Sequence, residues 1–254
     1  MISHLQKQTG QAIINIFETG LVHGDYSVLS VLADDPGLIS YGRAQTTLSS
    51  GHLGRLITAY CQDPQARDGA ALRPYATGLR KRLRESLYNY PLHRALRRAG
   101  SDPIMQALQD VYVDEQFWHP ATAAAQQADI SSALGTSVVY DSFIHGNWEA
   151  MYQEAREGYA GMGWGEHALV RRYIAVRWAW LARHPRQILR KTVYRMETFH
   201  LLCQQENWRL TLPLVVRGIQ ISAKTFSTQE KTGMSSRRAL FYQLALACLQ
   251  KTMK

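Results

Sequence analysis

Residues 17–48 read FETGLVHGDYSVLSVLADDPGLISYGRAQTTL, and this stretch decides the fold. It begins where a run with apolar residues at helical spacing ends, which predicts a helix from about Leu5 to Glu18. β-Branched residues follow, interrupted by glycines and a proline, and they predict a small β-element over about 21–45. A carboxylate at the end of this helix, followed by acid-bearing turns, marks a candidate active site.

The rest of the chain is predicted to be helical. Helical spacing of apolar residues recurs in six further segments: 79–87, 104–116, 130–145, 168–183, 185–204 and 235–249. Hydrophobic residues make up 46% of 254 residues, enough for a substantial core, and no apolar run approaches the roughly 20 residues of a membrane-spanning helix. We therefore predict a mainly α protein of the α+β type. A single domain over 1–254 would place two helical lobes around a substrate cleft.

Charge and composition limit the partners that we expect. The formal net charge of +9 favours anionic partners such as nucleic acid, acidic lipid or peptidoglycan. Residues 1–20 lack the charged start, long apolar middle and small-residue cleavage site of a signal peptide. The three cysteines are not at metal-ligand spacing, so we predict neither a metal nor an organic cofactor.

Glycosidic cleavage requires one protonated carboxyl group and a second carboxylate that activates water or attacks directly. Glu18 is the candidate acid, because burial beside Phe17 would favour its protonated form. Its structural alternative is a solvated carboxylate at a helix end.

The candidate base lies in the turns that follow Glu18. Asp34 and Asp35 directly precede a Pro-Gly turn, and Asp25 lies on an earlier Gly-Asp-Tyr turn. The residues alone leave all three open, although we prefer Asp35. Ser40 follows closely and is the candidate for holding a water molecule.

Three separated motifs resemble the chitosanases of glycoside hydrolase family 46, and still more the chitosanase-like, lysozyme-like domains of secreted antibacterial effectors. The first is Glu18, the turn at Asp35, and Ser40-Tyr41-Gly42 leading to a helix start. The second is YDSFIHG at 140–146, and the third is FWHPA at 117–121. The resemblance spans residues 10–215, and Ser40 departs from it because the classical chitosanases use threonine there.

The resemblance implies a lysozyme-like fold and an inverting mechanism. Glu18 would be the general acid and Asp35 the general base, with Ser40 orienting the water. It further implies that Asp141 is buried and forms ion pairs with arginines behind the site, for which Arg177 and Arg195 are the candidates.

Four residues are predicted to contact substrate: Tyr41, Arg43, Gln45 and His145. Arg43 and Gln45 directly follow the catalytic turn and could hydrogen-bond sugar hydroxyl or N-acetyl groups. Their structural alternatives are a surface ion pair for Arg43, a helix cap for Gln45 and a core histidine for His145.

Our first functional hypothesis is a muramidase-like hydrolase of the β-1,4 backbone of peptidoglycan, acting as an antibacterial effector. Such a protein would be secreted, or delivered to the periplasm or cell wall of a target bacterium, and an immunity protein would inhibit it. We expect a monomer with no membrane insertion and no nucleic-acid partner. The alternative is a chitosanase, and the second alternative is a non-catalytic basic module that binds cell wall or nucleic acid.

Overall fold

The computed structural model describes residues 2–34, 36–43, 45–157 and 165–227. Within them the chain forms two compact units. The first unit comprises residues 2–23 and 116–227, and the second comprises residues 24–115. No helix in these ranges is both long enough and apolar enough to cross a bilayer.

Helices dominate both units. In chain order they are α1 His4–Thr19, α2 His52–Gln62, α3 Gly69–Arg80, α4 Tyr90–Ala99, α5 Pro103–Val113, α6 His119–Gln127, α7 Ala133–His145, α8 Trp148–Glu157, α9 Glu166–Ala182, α10 Gln187–Arg190, α11 Tyr194–Gln204 and α12 Ala223–Ser227. A 3₁₀-helix covers Arg84–Tyr88, and a π-helix covers Asp114–Trp118. The strands are β1 Leu29–Val31, β2 Ile39–Tyr41, β3 Thr46–Thr47, β4 Leu214–Val216 and β5 Ile219–Ile221.

Local sequence fixes both ends of α1. Ser3 accepts a hydrogen bond from the backbone of Gln6, and the Gln6 side chain accepts one from the backbone of Ser3, which forms a capping box. The helix ends at Gly20, whose φ of 72° lies in the left-handed region that glycine tolerates. Glu18 is therefore held in the last turn of a helix with two defined ends.

The interior of the first unit forms around α1 and α7. Ile13, Ile14 and Phe17 are buried on α1, and α7 is buried along its length from Ala133 to Ser142. The Phe17 ring makes an edge contact with Phe199 of α11, with ring centroids 5.6 Å apart. These contacts fix the helix end that carries Glu18 against the core of its unit.

The second unit contains the predicted β-element. Strands β1, β2 and β3 form an antiparallel sheet in that order, with Ser40 of β2 opposite Ser30 and Thr47. Gly42 follows β2 with a φ of 73°, and a Cβ atom there would lie 2.2 Å from the Gln109 side chain of α5. Only glycine fits at this point, so the sheet and α5 meet closely.

The mainly helical class with a small sheet early in the chain is confirmed. Two predicted helices are wrong. Segment 79–87 divides between the end of α3 and the 3₁₀-helix, with Arg82 in the left-handed region at φ 58°. Segment 185–204 divides into α10 and α11. The predicted helix at 235–249 lies outside the described residues, and the hairpin of β4 and β5 was not predicted.

Candidate active site

Glu18 belongs to a network of three charged side chains in the first unit. Arg195 of α11 donates from Nη1 to Glu18 Oε1 over 2.8 Å. The same guanidinium group donates from Nε and Nη2 to Asp141 Oδ1 of α7, over 2.9 and 2.6 Å. One arginine therefore orients the candidate acid and is itself held by a second carboxylate.

Exposure within the network falls steeply away from Glu18. The side chain of Glu18 is 36% exposed, that of Arg195 is 2% exposed and that of Asp141 is fully buried. Burial alone would lower the pKa of Arg195, but the Asp141 and Glu18 carboxylates raise it above its usual value. Arg195 is thus a permanent buried cation whose charge two carboxylates share.

The environment expected for Glu18 is corrected by this geometry. We predicted apolar burial beside Phe17, and Phe17 is indeed buried, but Glu18 itself reaches the surface and accepts a hydrogen bond from a guanidinium group. The signal was absent from the local sequence because Arg195 lies 177 residues along the chain.

Arg177 of α9 is the other arginine that was predicted to pair with Asp141. It is fully buried and donates to the carbonyl of Gly146 and to Nδ1 of His145, over 2.9 and 3.2 Å. Of the two arginines predicted to pair with Asp141, Arg195 does so, while Arg177 donates to His145 and Gly146 at the end of α7. In the described part of the chain, Asp141 Oδ2 and Arg177 Nε are buried without a hydrogen-bond partner.

His145 ends α7 and is half-buried. Burial, with added repulsion from Arg195 and Arg177, lowers the pKa of His145 to about 4 although Asp141 opposes the shift. Because a guanidinium group can only donate, Nδ1 is the acceptor and the proton of the neutral ring lies on Nε2. The predicted contact of His145 with substrate stays a prediction, and the histidine would take part in it as a hydrogen-bond donor.

The candidate bases belong to the second unit. Asp35 lies outside the described residues, and Asp34 is exposed in the turn after β1. Asp25 Oδ1 accepts hydrogen bonds from the backbone and hydroxyl of Ser27 and from the backbone of Val28. These bonds give Asp25 a structural task in its turn, and the assignment of the general base to Asp35 stays a prediction.

Ser40 and Gln45 remain partly open to solvent. Ser40 is half-buried in the middle strand of the sheet. Gln45 is exposed with a φ of 48°, and its amide donates to the carbonyl of Gly42 rather than capping the next helix. Their roles as water-orienting and substrate-contact residues stay predictions.

Tyr41 is corrected from a substrate contact to a core residue. Its side chain is fully buried, and its hydroxyl donates to the carbonyl of Leu96 in α4 over 2.7 Å. A sugar cannot reach a ring with no exposed surface. Tyr41 instead fastens the sheet to α4.

The substrate contact of Arg43 stays a prediction, and its side chain is only 7% exposed. It forms a short ion pair with Asp110 of α5, and its backbone amide donates to the side chain of Gln109. Asp110 in turn accepts a hydrogen bond from the hydroxyl of Tyr26. Arg43 therefore attaches the turn after β2 to α5.

Sequence reasoning missed Gln109 and Asp110 as the supports of this turn. Gln109 is 1% exposed, donates to the carbonyl of Tyr26 and accepts from the backbone of Arg43. A usable signal existed, since an amide side chain at a core position of an apolar helix must find buried polar partners. Only the tertiary structure shows that those partners are Tyr26, before β1, and Arg43, after β2.

A cavity of about 610 Å³ in the first unit is not the candidate site. Lys7, Trp118 and Thr136 line it at the N-terminal end of α1. Glu18 lies at the other end of this 16-residue helix, which spans about 24 Å at 1.5 Å per residue. Within the described ranges, His, Cys, Asp and Glu side chains form no group of three that could hold a metal ion.

The sequence profile of glycosyl hydrolase family 46 matches residues 12–214. The match contains Glu18, Asp141 and Arg195 and covers most of the 254 residues. The chain belongs to glycosyl hydrolase family 46. As a member of this family it is a glycoside hydrolase, which confirms the reaction class predicted from its motifs.

Family 46 relatives cover nearly the whole chain. A chitosanase of Bacillus subtilis (strain 168) is 25% identical over 230 residues, which are 84% of this chain and 82% of the relative. The structure of a native chitosanase from Bacillus subtilis MY002 is similar with a TM-score of 0.73 at 22% identity, covering 87% of this chain and all of that one. A family 46 chitosanase from Gynuella sunshinyii, in complex with chitotetraose, gives a TM-score of 0.71 at 23% identity, with 87% and 98% coverage. At these identities the two structures establish a shared fold.

Proposed function

We propose that this family 46 hydrolase cleaves the β-1,4 linkages of chitosan, the polymer of glucosamine. One observation carries the proposal: the family match extends over most of the chain and includes a partly exposed Glu18 that Arg195 holds in place. Its relatives support the substrate, because a Bacillus subtilis protein is a chitosanase and two similar structures hold six glucosamine units or chitotetraose. Chitosan thereby replaces peptidoglycan, our first prediction, as the favoured substrate.

The proposed reaction uses two carboxyl groups and one water molecule. Glu18 gives its proton to the bridging oxygen as the bond from that oxygen to the anomeric carbon breaks. Asp35 takes a proton from the water whose oxygen bonds to the same carbon from the opposite face, and Ser40 orients that water. Inversion of this kind requires the two carboxyl groups to lie about 6.5–9.5 Å apart.

The network behind Glu18 fits the part of a general acid. Arg195 binds Oε1 and leaves Oε2 to carry the proton. Because Asp141 takes two of the three hydrogen bonds that Arg195 gives to carboxylates, Glu18 receives only a share of the guanidinium charge. Arg195 thus fixes the orientation of Glu18, while Asp141 holds the guanidinium group from behind.

The testing experiment is product analysis with Glu18→Gln, which keeps the size of the side chain but removes the transferable proton. Wild type should release glucosamine oligomers from chitosan, and the variant should lose roughly 10²–10⁴-fold in kcat, the usual contribution of a general acid. Glu154→Gln is the matched control, because Glu154 is an exposed glutamate of α8 in the same unit. Its activity should equal that of wild type. Equal turnover by wild type and Glu18→Gln would contradict the assignment of the acid.

We propose peptidoglycan as the second candidate substrate, on one specific observation. Chitosan carries ammonium groups, and a protein with a net charge of +9 repels a cationic polymer at long range while attracting an anionic cell wall. An effector delivered to the wall of a target bacterium, and an immunity protein that inhibits it, belong to this proposal.

The same assay separates the two substrates. Muropeptides released from peptidoglycan by wild type and not by Glu18→Gln, with chitosan left intact, would overturn chitosan and support the second candidate. Glucosamine oligomers alone would support the first. Failure to cleave either polymer, with both proteins folded by circular dichroism, would contradict both.

A further inference from the structure

The second unit carries a concentrated positive charge that the proposed reaction does not use. Residues 80–97 contain six lysines and arginines and one acid, Glu85. Arg82, Arg84, Arg94 and Arg97 are all exposed. The neighbouring Arg98 differs from them, since its guanidinium group is held by Asp68.

Two exposed tyrosines lie among these cations. Tyr88 ends the 3₁₀-helix and is 72% exposed, and Tyr90 begins α4 and is 76% exposed. Exposed apolar surface that is rimmed by polar residues marks an interaction site, and here two rings lie close together in the sequence among charged residues. We call the set of Arg82, Arg84, Tyr88, Tyr90, Arg94 and Arg97 the tyrosine–arginine face.

The backbone beneath this face is well fixed. Tyr90, Arg94 and Arg97 follow one another at intervals of four and three residues, which places them on one side of α4. The buried His93 hydrogen-bonds the carbonyl of Ser86 over 3.0 Å, which ties α4 to the 3₁₀-helix. The 3₁₀-helix and α4 both pack against α3. The exposed groups therefore project from a fixed backbone, so that only their side chains would have to be ordered on binding.

We propose that the tyrosine–arginine face binds an anionic polysaccharide, a glycan that carries carboxylate or sulfate groups. Guanidinium groups bind planar oxyanions in a bidentate manner. The tyrosine rings offer flat apolar surfaces with a hydroxyl at the edge, which suit the face of a sugar ring. Charge complementarity selects a polyanion, and the aromatic surfaces favour a glycan over a simple chain of phosphates.

Binding to polygalacturonate, measured by isothermal titration calorimetry at fixed ionic strength, tests this proposal. The charge variant is Arg84→Gln with Arg94→Gln and Arg97→Gln, and it should weaken binding by about tenfold or more. The matched control is Arg183→Gln with Arg186→Gln and Lys191→Gln. It removes the same charge from exposed positions of the first unit, and in the described part of the chain no exposed tyrosine adjoins them in sequence. The control should lose less than about threefold.

A second variant separates stacking from charge. Tyr88→Ser with Tyr90→Ser keeps the net charge and should also weaken binding by about tenfold. Thermal unfolding of all variants at the wild-type temperature would show that they fold.

Three results would overturn the proposal: no binding of polygalacturonate by wild type, equal losses in the charge variant and its control, or no effect of the tyrosine substitutions. Equally tight and tyrosine-dependent binding of a single-stranded oligonucleotide would also overturn it, in favour of nucleic acid. None of these variants touches the predicted catalytic residues, so chitosan hydrolysis should be retained and its loss would be a separate finding.

Discussion

Arg195 and Arg98 make the same pair of hydrogen bonds in opposite surroundings. Each donates from Nε and Nη2 to one Oδ1 oxygen of an aspartate, Asp141 for Arg195 and Asp68 for Arg98. The first pair is 2% and 0% exposed, whereas the second is 60% and 16% exposed. Hydrogen-bond geometry therefore says little about what an ion pair contributes, and the loss on removing one partner depends on burial.

The buried pair should give the largest loss of stability. Asp141→Ala leaves the Arg195 guanidinium group in the core, and among the described residues only the partly exposed Glu18 still pairs with it. Breaking a buried pair costs about 3–5 kcal/mol, because the remaining charge is uncompensated. Urea unfolding followed by circular dichroism measures this loss. Activity should fall too, since Arg195 would no longer be held from behind while it orients Glu18.

A loss of stability below about 1 kcal/mol for Asp141→Ala would contradict the role given to burial, because exposed ion pairs contribute no more than that. Asp141→Asn is the control for shape. It keeps an oxygen for Arg195 but removes the charge, so its stability should lie between those of wild type and Asp141→Ala.

The pH dependence of stability tests the effect of burial on His145, which lies close to Arg195 and Asp141. The folded pKa of His145, about 4, lies below the value of about 6.5 for an unfolded histidine. Between these values the unfolded chain binds more protons than the folded one, so stability rises with pH. The contribution of His145 is fully present above pH 6.5 and is lost as the pH falls towards 4.

Comparison of urea unfolding at pH 7 and pH 4.5 measures this effect. Wild type should lose more stability than His145→Gln over this interval, by on the order of 1–3 kcal/mol for one histidine shifted this far. Burial and the nearby Arg55 and Arg82 also lower the pKa of His52 to about 4. The His145→Gln variant should therefore still lose some stability between pH 7 and pH 4.5. An equal loss of stability between pH 7 and pH 4.5 in both proteins would show that His145 titrates normally.

Tyr41→Phe should give a smaller loss and tests the correction made for this residue. The variant removes the hydroxyl that donates to the Leu96 carbonyl, which keeps a second hydrogen bond from the backbone amide of Gly100. Because this carbonyl stays satisfied, we expect the loss of one hydrogen bond, about 0.5–1.5 kcal/mol of destabilisation. The KM for the cleaved polymer should be unchanged. An increase in KM without loss of stability would restore Tyr41 as a substrate contact.

Local sequence was enough for some of this architecture. Ser3 and Gln6 at one end of α1 and Gly20 at the other define the helix within a window of 18 residues, and its prediction was correct within two residues. The same reasoning failed at 79–87, where Arg82 adopts a left-handed conformation that its side chain does not favour. There the spacing of apolar residues indicated a helix that the turn after α3 prevents.

The surroundings of the candidate site could not be read from the sequence, because they arise from distant segments. Glu18 meets Arg195, which is 177 residues away, and Arg43 meets Asp110, which is 67 residues away. The motifs indicated which side chains matter, but the burial of Tyr41 and the exposure of Glu18 depend on how α4 and α11 pack. Residue type thus predicted the chemistry better than the environment of each residue.

The exposed pair should give the smallest effect, and it completes the comparison with Asp141. Asp68→Ala removes the partner of Arg98 at the start of α3, where water can solvate the freed guanidinium group. Double-mutant studies of such pairs give about 0–1 kcal/mol, and salt should reduce the value further. Urea unfolding at low and high ionic strength measures both. A loss as large as that of Asp141→Ala would mean that hydrogen-bond geometry, rather than burial, sets the strength of these pairs.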